Sequence, residues 1–152
     1  MSQELEDRAV SDVGRIKSVV REYHESYRHS DLPNLSVSEL YCLDKRLSEG
    51  VPDDHVWPAR WPQAARPGVY FLLGAERKLL YIGRADNLGT RLSNYFRYGE
   101  DRQCVPKDDW ADRPPCFLLT VAVAEKFEAS SLEEYLIDRL DPPTNVRGRR
   151  DR

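Results

Sequence analysis

Long apolar runs are missing from this chain. Its hydrophobic stretches are strand-sized, and none approaches the ~18 residues that a membrane-spanning helix needs, so no such span is expected. Cysteine is scarce and odd in number. Cys42, Cys104 and Cys116 lack the close pairing of a zinc site, which leaves free thiols in a reducing cytoplasm as the expectation. The opening "MSQELEDRAV" is acidic and polar, the wrong character for a secretory leader. An excess of positive charge is absent too. The net charge is −3; residues 1–50 hold seven Lys/Arg against ten Asp/Glu, whereas residues 51–152 hold sixteen of each. Binding to phosphates therefore requires a concentrated patch, because overall charge gives no steering. No internal repeat or long low-complexity stretch occurs.

What is present suits a globular protein. Of the 152 residues, 40% are hydrophobic and 32% charged, enough for one compact domain with an appendage. From Leu5 to about His29, Val13, Ile16, Val20, Tyr23 and Tyr27 recur at steps of three and four, the pattern of an amphipathic helix. After "SDLPN", the segment "SVSELYCLDKRLSEG" is expected to form a second helix, with Ser36 as cap, Glu39 three residues on and Gly50 as stop. Residues 1–50 are accordingly read as a helical N-terminal extension. Residues 51–67, with four prolines and two tryptophans, are read as an ordered linker, residues 68–146 as the main domain and 147–152 as a basic tail.

In the main domain "GVYFLLG" and "KLLYIG" flank "AER" as a β-hairpin. The apolar run stops at Gly83, where the chain is expected to turn, and Asp86 is placed to cap a helix over "DNLGTRLSNYF". A long Pro/Asp/Gly loop follows, then the strand "FLLTVAVA", then a helix "KFEASSLEEYLIDRL" stopped by Pro142 and Pro143. The fold class is therefore α+β, a small three-stranded antiparallel sheet flanked by helices.

Local structure leaves a few residues unexplained. On the last helix Ala129, Leu132, Leu136, Ile137 and Leu140 form one apolar arc, and Glu133 falls inside it. A carboxylate there is costly unless paired, neutralised or metal-bound; the ordinary alternative is a glutamate at the edge of the face reaching solvent or an arginine. A tight hairpin loop places Tyr70 directly opposite Tyr81, either as cross-strand packing or as the lining of a site. Arg91 and Tyr95 stand one turn apart on the intervening helix.

Taken in order, "GVY", ten residues, "YIG", arginine and tyrosine on the next helix, "EASSLEEYLI" and a closing "PPTN" resemble the GIY-YIG nuclease family. The likeness is nearest to the nuclease module of the bacterial excision-repair incision subunit and to small stand-alone members. It spans about Gly68 to Asn145. The resemblance implies a DNA endonuclease that hydrolyses phosphodiester bonds with one divalent metal ion, Mg2+ or Mn2+. It implies that Tyr70 and Tyr81 are the motif tyrosines, Arg91 and Tyr95 the helix pair, Glu133 the metal ligand and Asn145 the residue that closes the site. Arg84 stands where much of the family has lysine; it keeps a phosphate-binding cation but is a poor proton shuttle, since arginine stays protonated.

The expected function is a free-standing endonuclease of restriction, defence, toxin or repair type, in the cytoplasm or delivered into a target cell's cytoplasm. DNA is its expected partner, no membrane is involved, and residues 1–50 are available for a homodimer or a protein partner. The alternative is an inactive nucleic-acid-binding module that keeps the fold. Which of Tyr70 and Tyr81 takes the proton is open at this point.

Overall fold

The structure is a computed structural model that describes residues 12–56, 61–98, 104–106 and 115–145. Expectations for residues 5–11, Trp57, Trp110 and the basic tail lie outside these residues; the long loop expected over residues 97–116 is in part a two-stranded ribbon, Phe96–Tyr98 against Cys104–Pro106. Among the described residues no helix is long and apolar enough to cross a membrane.

Chain order is α1 (Val13–Tyr27), β1 (Tyr41–Cys42), β2 (Gly68–Leu73), β3 (Leu79–Ala85), α2 (Leu88–Tyr95), β4 (Phe96–Tyr98), β5 (Cys104–Pro106), β6 (Phe117–Ala122) and α3 (Lys126–Leu140). Strands β1, β6, β2 and β3 form one antiparallel sheet in that spatial order, and β4 pairs with β5. The α+β architecture is as expected, but the main sheet has four strands, not three.

The extra strand comes from residues 36–50, which are not the helix their capping pattern suggested. Val37 bridges Val121, Tyr41 pairs with Leu118 and Cys42 with Phe117, so this segment runs along the outer side of β6. Ser38 N–H donates to the Thr120 carbonyl at 2.7 Å, and Thr120 N–H donates to Ser38 Oγ at 2.9 Å. An open sheet edge beside β6 offers a β-branched and aromatic segment more than its middling helix propensity does. Only Lys45–Leu47 coil into a 3-10 turn, with the Asp44 side chain accepting from Arg46 N–H.

The sheet divides the core in two. On one face Val69, Phe71, Leu73, Leu79, Ile82, Leu119 and Val121 pack beneath α1 and α3. Helix α1 contributes Ile16, Val19, Val20 and Tyr23, while Tyr27, at the end of the predicted stripe, is 69% exposed. The arc predicted on α3 is buried as expected: Ala129, Leu132, Leu136, Ile137 and Leu140. On the opposite face Tyr70, Leu72 and Leu118 pack with Leu88, Leu92 and Phe96.

Residues 61–67 lie on this second layer. Trp61 Nε1 donates to Ser93 Oγ at 3.0 Å, and the indole packs against Phe96 with centroids 6.0 Å apart. The N–H groups of Leu88 and Gly89, orphans of the first helical turn, donate to the carbonyls of Arg66 and Ala64. The cap of α2 is Asn87, whose Oδ1 accepts from Thr90 N–H at 2.9 Å, one residue later than the expected Asp86.

Candidate active site

The hairpin register decides how the two motif tyrosines meet. Residues 75–77 form a three-residue loop: Arg77 N–H donates to the Gly74 carbonyl, Gly74 N–H to the Lys78 carbonyl, and Arg77 takes a left-handed φ of 60°. This is the turn-plus-αL connection typical of three-residue hairpins. It moves the pairing by one residue relative to a two- or four-residue loop. A bulge at Leu80 moves it by one more, so Leu73 faces Leu79 while Leu72 faces Tyr81. Tyr70 is therefore opposite Gly83, not Tyr81. Two one-residue slips restore the side-chain face that one alone would have reversed, and the tyrosines stand diagonally on a common face with ring centroids 6.1 Å apart.

Gly83 does not turn the chain; β3 runs through it to Ala85. Its missing side chain is the seat of Tyr70. A Cβ at Gly83 would lie 2.3 Å from both Cζ and Oη of the Tyr70 ring. Tyr70 itself is fully buried, and its Oη accepts a hydrogen bond of 3.4 Å from Arg91 Nε on α2. Tyr95, the last residue of α2, follows Arg91 by one turn. Thr120, directly across β2 from Tyr70, is buried and donates to Gln63 Oε1 at 2.8 Å.

Glu133 stands on the other layer. It sits on α3, and its side chain is 22% exposed beside the buried arc. Arg84, paired with Val69 and so on the same face as α3, places Nε 3.3 Å from Glu133 Oε1. Of the alternatives raised by the sequence, the ordinary one is therefore realised: a glutamate at the edge of the face that reaches an arginine. Successive residues of β3 serve the two layers, Tyr81 and Gly83 towards α2 and Ile82 and Arg84 towards α3.

Asn145 binds the exposed edge of the same strand. Its Oδ1 accepts from Ile82 N–H and its Nδ2 donates to the Ile82 carbonyl, both at 2.8 Å, as a neighbouring strand would. It is only 6% exposed. Thr144 secures the bulge next to it, with its backbone N–H (3.1 Å) and hydroxyl both donating to the Leu80 carbonyl. The sequence reading missed the contributions of Gly83 and Thr144. Their signals, a glycine inside an apolar strand and the "PPTN" threonine, acquire meaning only once the register is known.

Among the described residues no three His, Cys, Asp or Glu side chains gather into a metal cage. The carboxylate set is sparse, Glu133 alone from the residues singled out. Such a set suits Mg2+, which retains several waters and accepts phosphate oxygens as ligands; it does not suit zinc, which takes three or four protein ligands.

A hairpin presenting two phenols, a helix arginine on one of them and a helix glutamate across an edge strand define a nuclease module of the GIY-YIG class. The chain belongs to this family: the UvrC-like GIY-YIG domain model matches residues 66–146. UvrABC system protein C of Pseudomonas putida is 38% identical over 89 residues, covering 59% of this chain and 14% of that protein. The same protein of Ruegeria pomeroyi is 37% identical over 86 residues, 57% of this chain and 13% of its own length. The match thus spans about one-seventh of these relatives. A solved structure, the GIY-YIG N-terminal endonuclease domain of UvrC from Thermotoga maritima bound to magnesium, is 30% identical with a TM-score of 0.40, covering 55% of this chain and 88% of that one.

Proposed function

We propose that this chain is a metal-dependent DNA endonuclease that hydrolyses a phosphodiester bond at the Tyr70, Tyr81, Arg91 and Glu133 site. The observation that carries the reading is the Arg91 hydrogen bond to a Tyr70 hydroxyl seated on Gly83. An ordinary phenol titrates near pH ~10 and is a poor base at neutral pH. Burial of the ring opposes negative charge on its oxygen, and a guanidinium donating to that oxygen favours it, which is what a general base requires. The hydrogen bond is long at 3.4 Å, within the range that such sites show before substrate is bound.

Tyr70 takes the proton of the attacking water. Tyr81, diagonal to it, orients that water or relays the proton. Arg91 and Arg84 bind the scissile phosphate and stabilise its developing charge, the task for which a guanidinium fork is well shaped. Glu133 would hold Mg2+ or Mn2+, which would supply Lewis-acid stabilisation of the charge that develops at the phosphate. Asn145 holds the outer edge of β3 at Ile82, between Tyr81 and Gly83.

The test is incubation of the protein with plasmid, single-stranded and branched DNA in Mg2+ or Mn2+. Cleavage is expected for the intact protein and is lost in Glu133→Ala; cleavage that persists in that variant removes the metal assignment. Tyr70→Phe is expected to lower the rate about 10²- to 10⁴-fold, the usual contribution of general-base catalysis. Near-full activity would transfer the base role to Tyr81. DNA binding without cleavage of any substrate would make the chain a binding module.

A further inference from the structure

We infer that Arg84 competes with the metal for Glu133 and so weakens metal capture until a substrate phosphate draws the arginine away; this rests on the reading of Glu133 as the metal ligand. Arg84 Nε lies 3.3 Å from Glu133 Oε1. A divalent cation brought to the same carboxylate meets a guanidinium in contact with it, and the like charges oppose one another. Glu133 cannot satisfy both at full strength.

A phosphate resolves the conflict twice over. It offers Arg84 an anion that its planar fork matches bidentately, and it adds oxygen ligands for a hard cation that one carboxylate holds poorly. Arg84 has room to make the exchange, because its side chain is 52% exposed while that of Glu133 is 22% exposed. Its backbone stays fixed in β3, where it pairs with Val69, and only the side chain needs to swing. Metal and DNA then strengthen each other's binding, and the coupling is reciprocal. Arg84 acts here as a positioning residue, through Glu133, in addition to contacting phosphate.

The experiment is Mn2+ titration followed by electron paramagnetic resonance of the free ion, which needs no turnover. Without DNA, Arg84→Gln is expected to bind Mn2+ about two- to fivefold more tightly than the unaltered protein, the scale of a half-exposed ion pair. Arg84→Lys, which keeps the charge, falls between them. Adding a short duplex in a Tyr70→Phe background tightens Mn2+ binding when Arg84 is present and does so less in Arg84→Gln. Equal DNA-free affinities, or equal tightening by DNA, would overturn the inference while leaving the metal site intact, provided Glu133→Gln abolishes binding. Mn2+ binding that survives Glu133→Gln would instead remove the metal-ligand reading and the inference with it.

Discussion

Gly83 shows how much one residue can decide. Any side chain there puts a Cβ 2.3 Å from the Tyr70 hydroxyl, and Tyr70 is fully enclosed between the sheet and α2. Gly83→Ala is therefore expected to push the ring off its seat and away from Arg91. Overpacking of this kind costs about 1–3 kcal/mol, so the protein stays folded while cleavage falls by more than its stability does. Rates measured beside thermal melting separate the two effects; an unchanged rate would show that the Tyr70 position is not critical. A second residue-level expectation concerns Cys116. Burial, and then the nearby Asp44 and Cys42, push its thiol up to about 11. The unfolded thiol ionises near 9, so its contribution to stability is complete below that value and falls as pH rises towards 11. Alkylation followed by mass spectrometry should leave Cys116 unmodified at pH 8 in the native protein and modify it rapidly in denaturant.

Among the elements, β3 carries the most function and is an outer strand. Asn145 substitutes for its missing neighbour, and removing it leaves both polar groups of Ile82 without that partner. Asn145→Ala is expected to destabilise the protein by about 2–6 kcal/mol, since each of the two orphaned buried groups costs ~1–3. The amide of Ile82 should then lose its hydrogen-exchange protection. Retained protection would mean that another group holds the strand. The same element marks where sequence reasoning stopped. Periodicity predicted α3 residue for residue, and the apolar arc isolated Glu133, because both follow from local geometry. The hairpin register was only partly legible: the three-residue loop is local, but the bulge at Leu80 is held by Thr144 from 64 residues away in sequence. The segment 36–50 misled for a related reason: its capping pattern is local, whereas the edge of β6 that it covers is not.

On the scale of the whole molecule, the family match and the folded unit differ in extent. The match begins at residue 66, yet α1 places Ile16, Val19, Val20 and Tyr23 in the core shared by the sheet and α3. Arg28, with a side chain only 4% exposed, is paired with Glu128 at 2.7 Å, and Tyr23 Oη donates to Ser131 Oγ. Asp12 ties the start of α1 to the hairpin, its carboxylate accepting from Leu79 N–H at 2.7 Å. Four buried side chains at about 1.5–3 kcal/mol each amount to ~6–12 kcal/mol, which is the size of a whole domain's net stability, ~5–15 kcal/mol. Residues 37–43 also occupy the outer side of β6, which would otherwise be an open edge. A chain beginning at Arg66 is therefore expected to aggregate or to keep secondary structure without fixed packing, with weak near-ultraviolet circular dichroism and strong binding of a hydrophobic dye. Adding residues 12–56 as a separate peptide should restore some native signal. A chain from Arg66 that melts cooperatively near the full-length temperature would show instead that the N-terminal segment is dispensable for folding, and would leave it free for substrate or partner contacts.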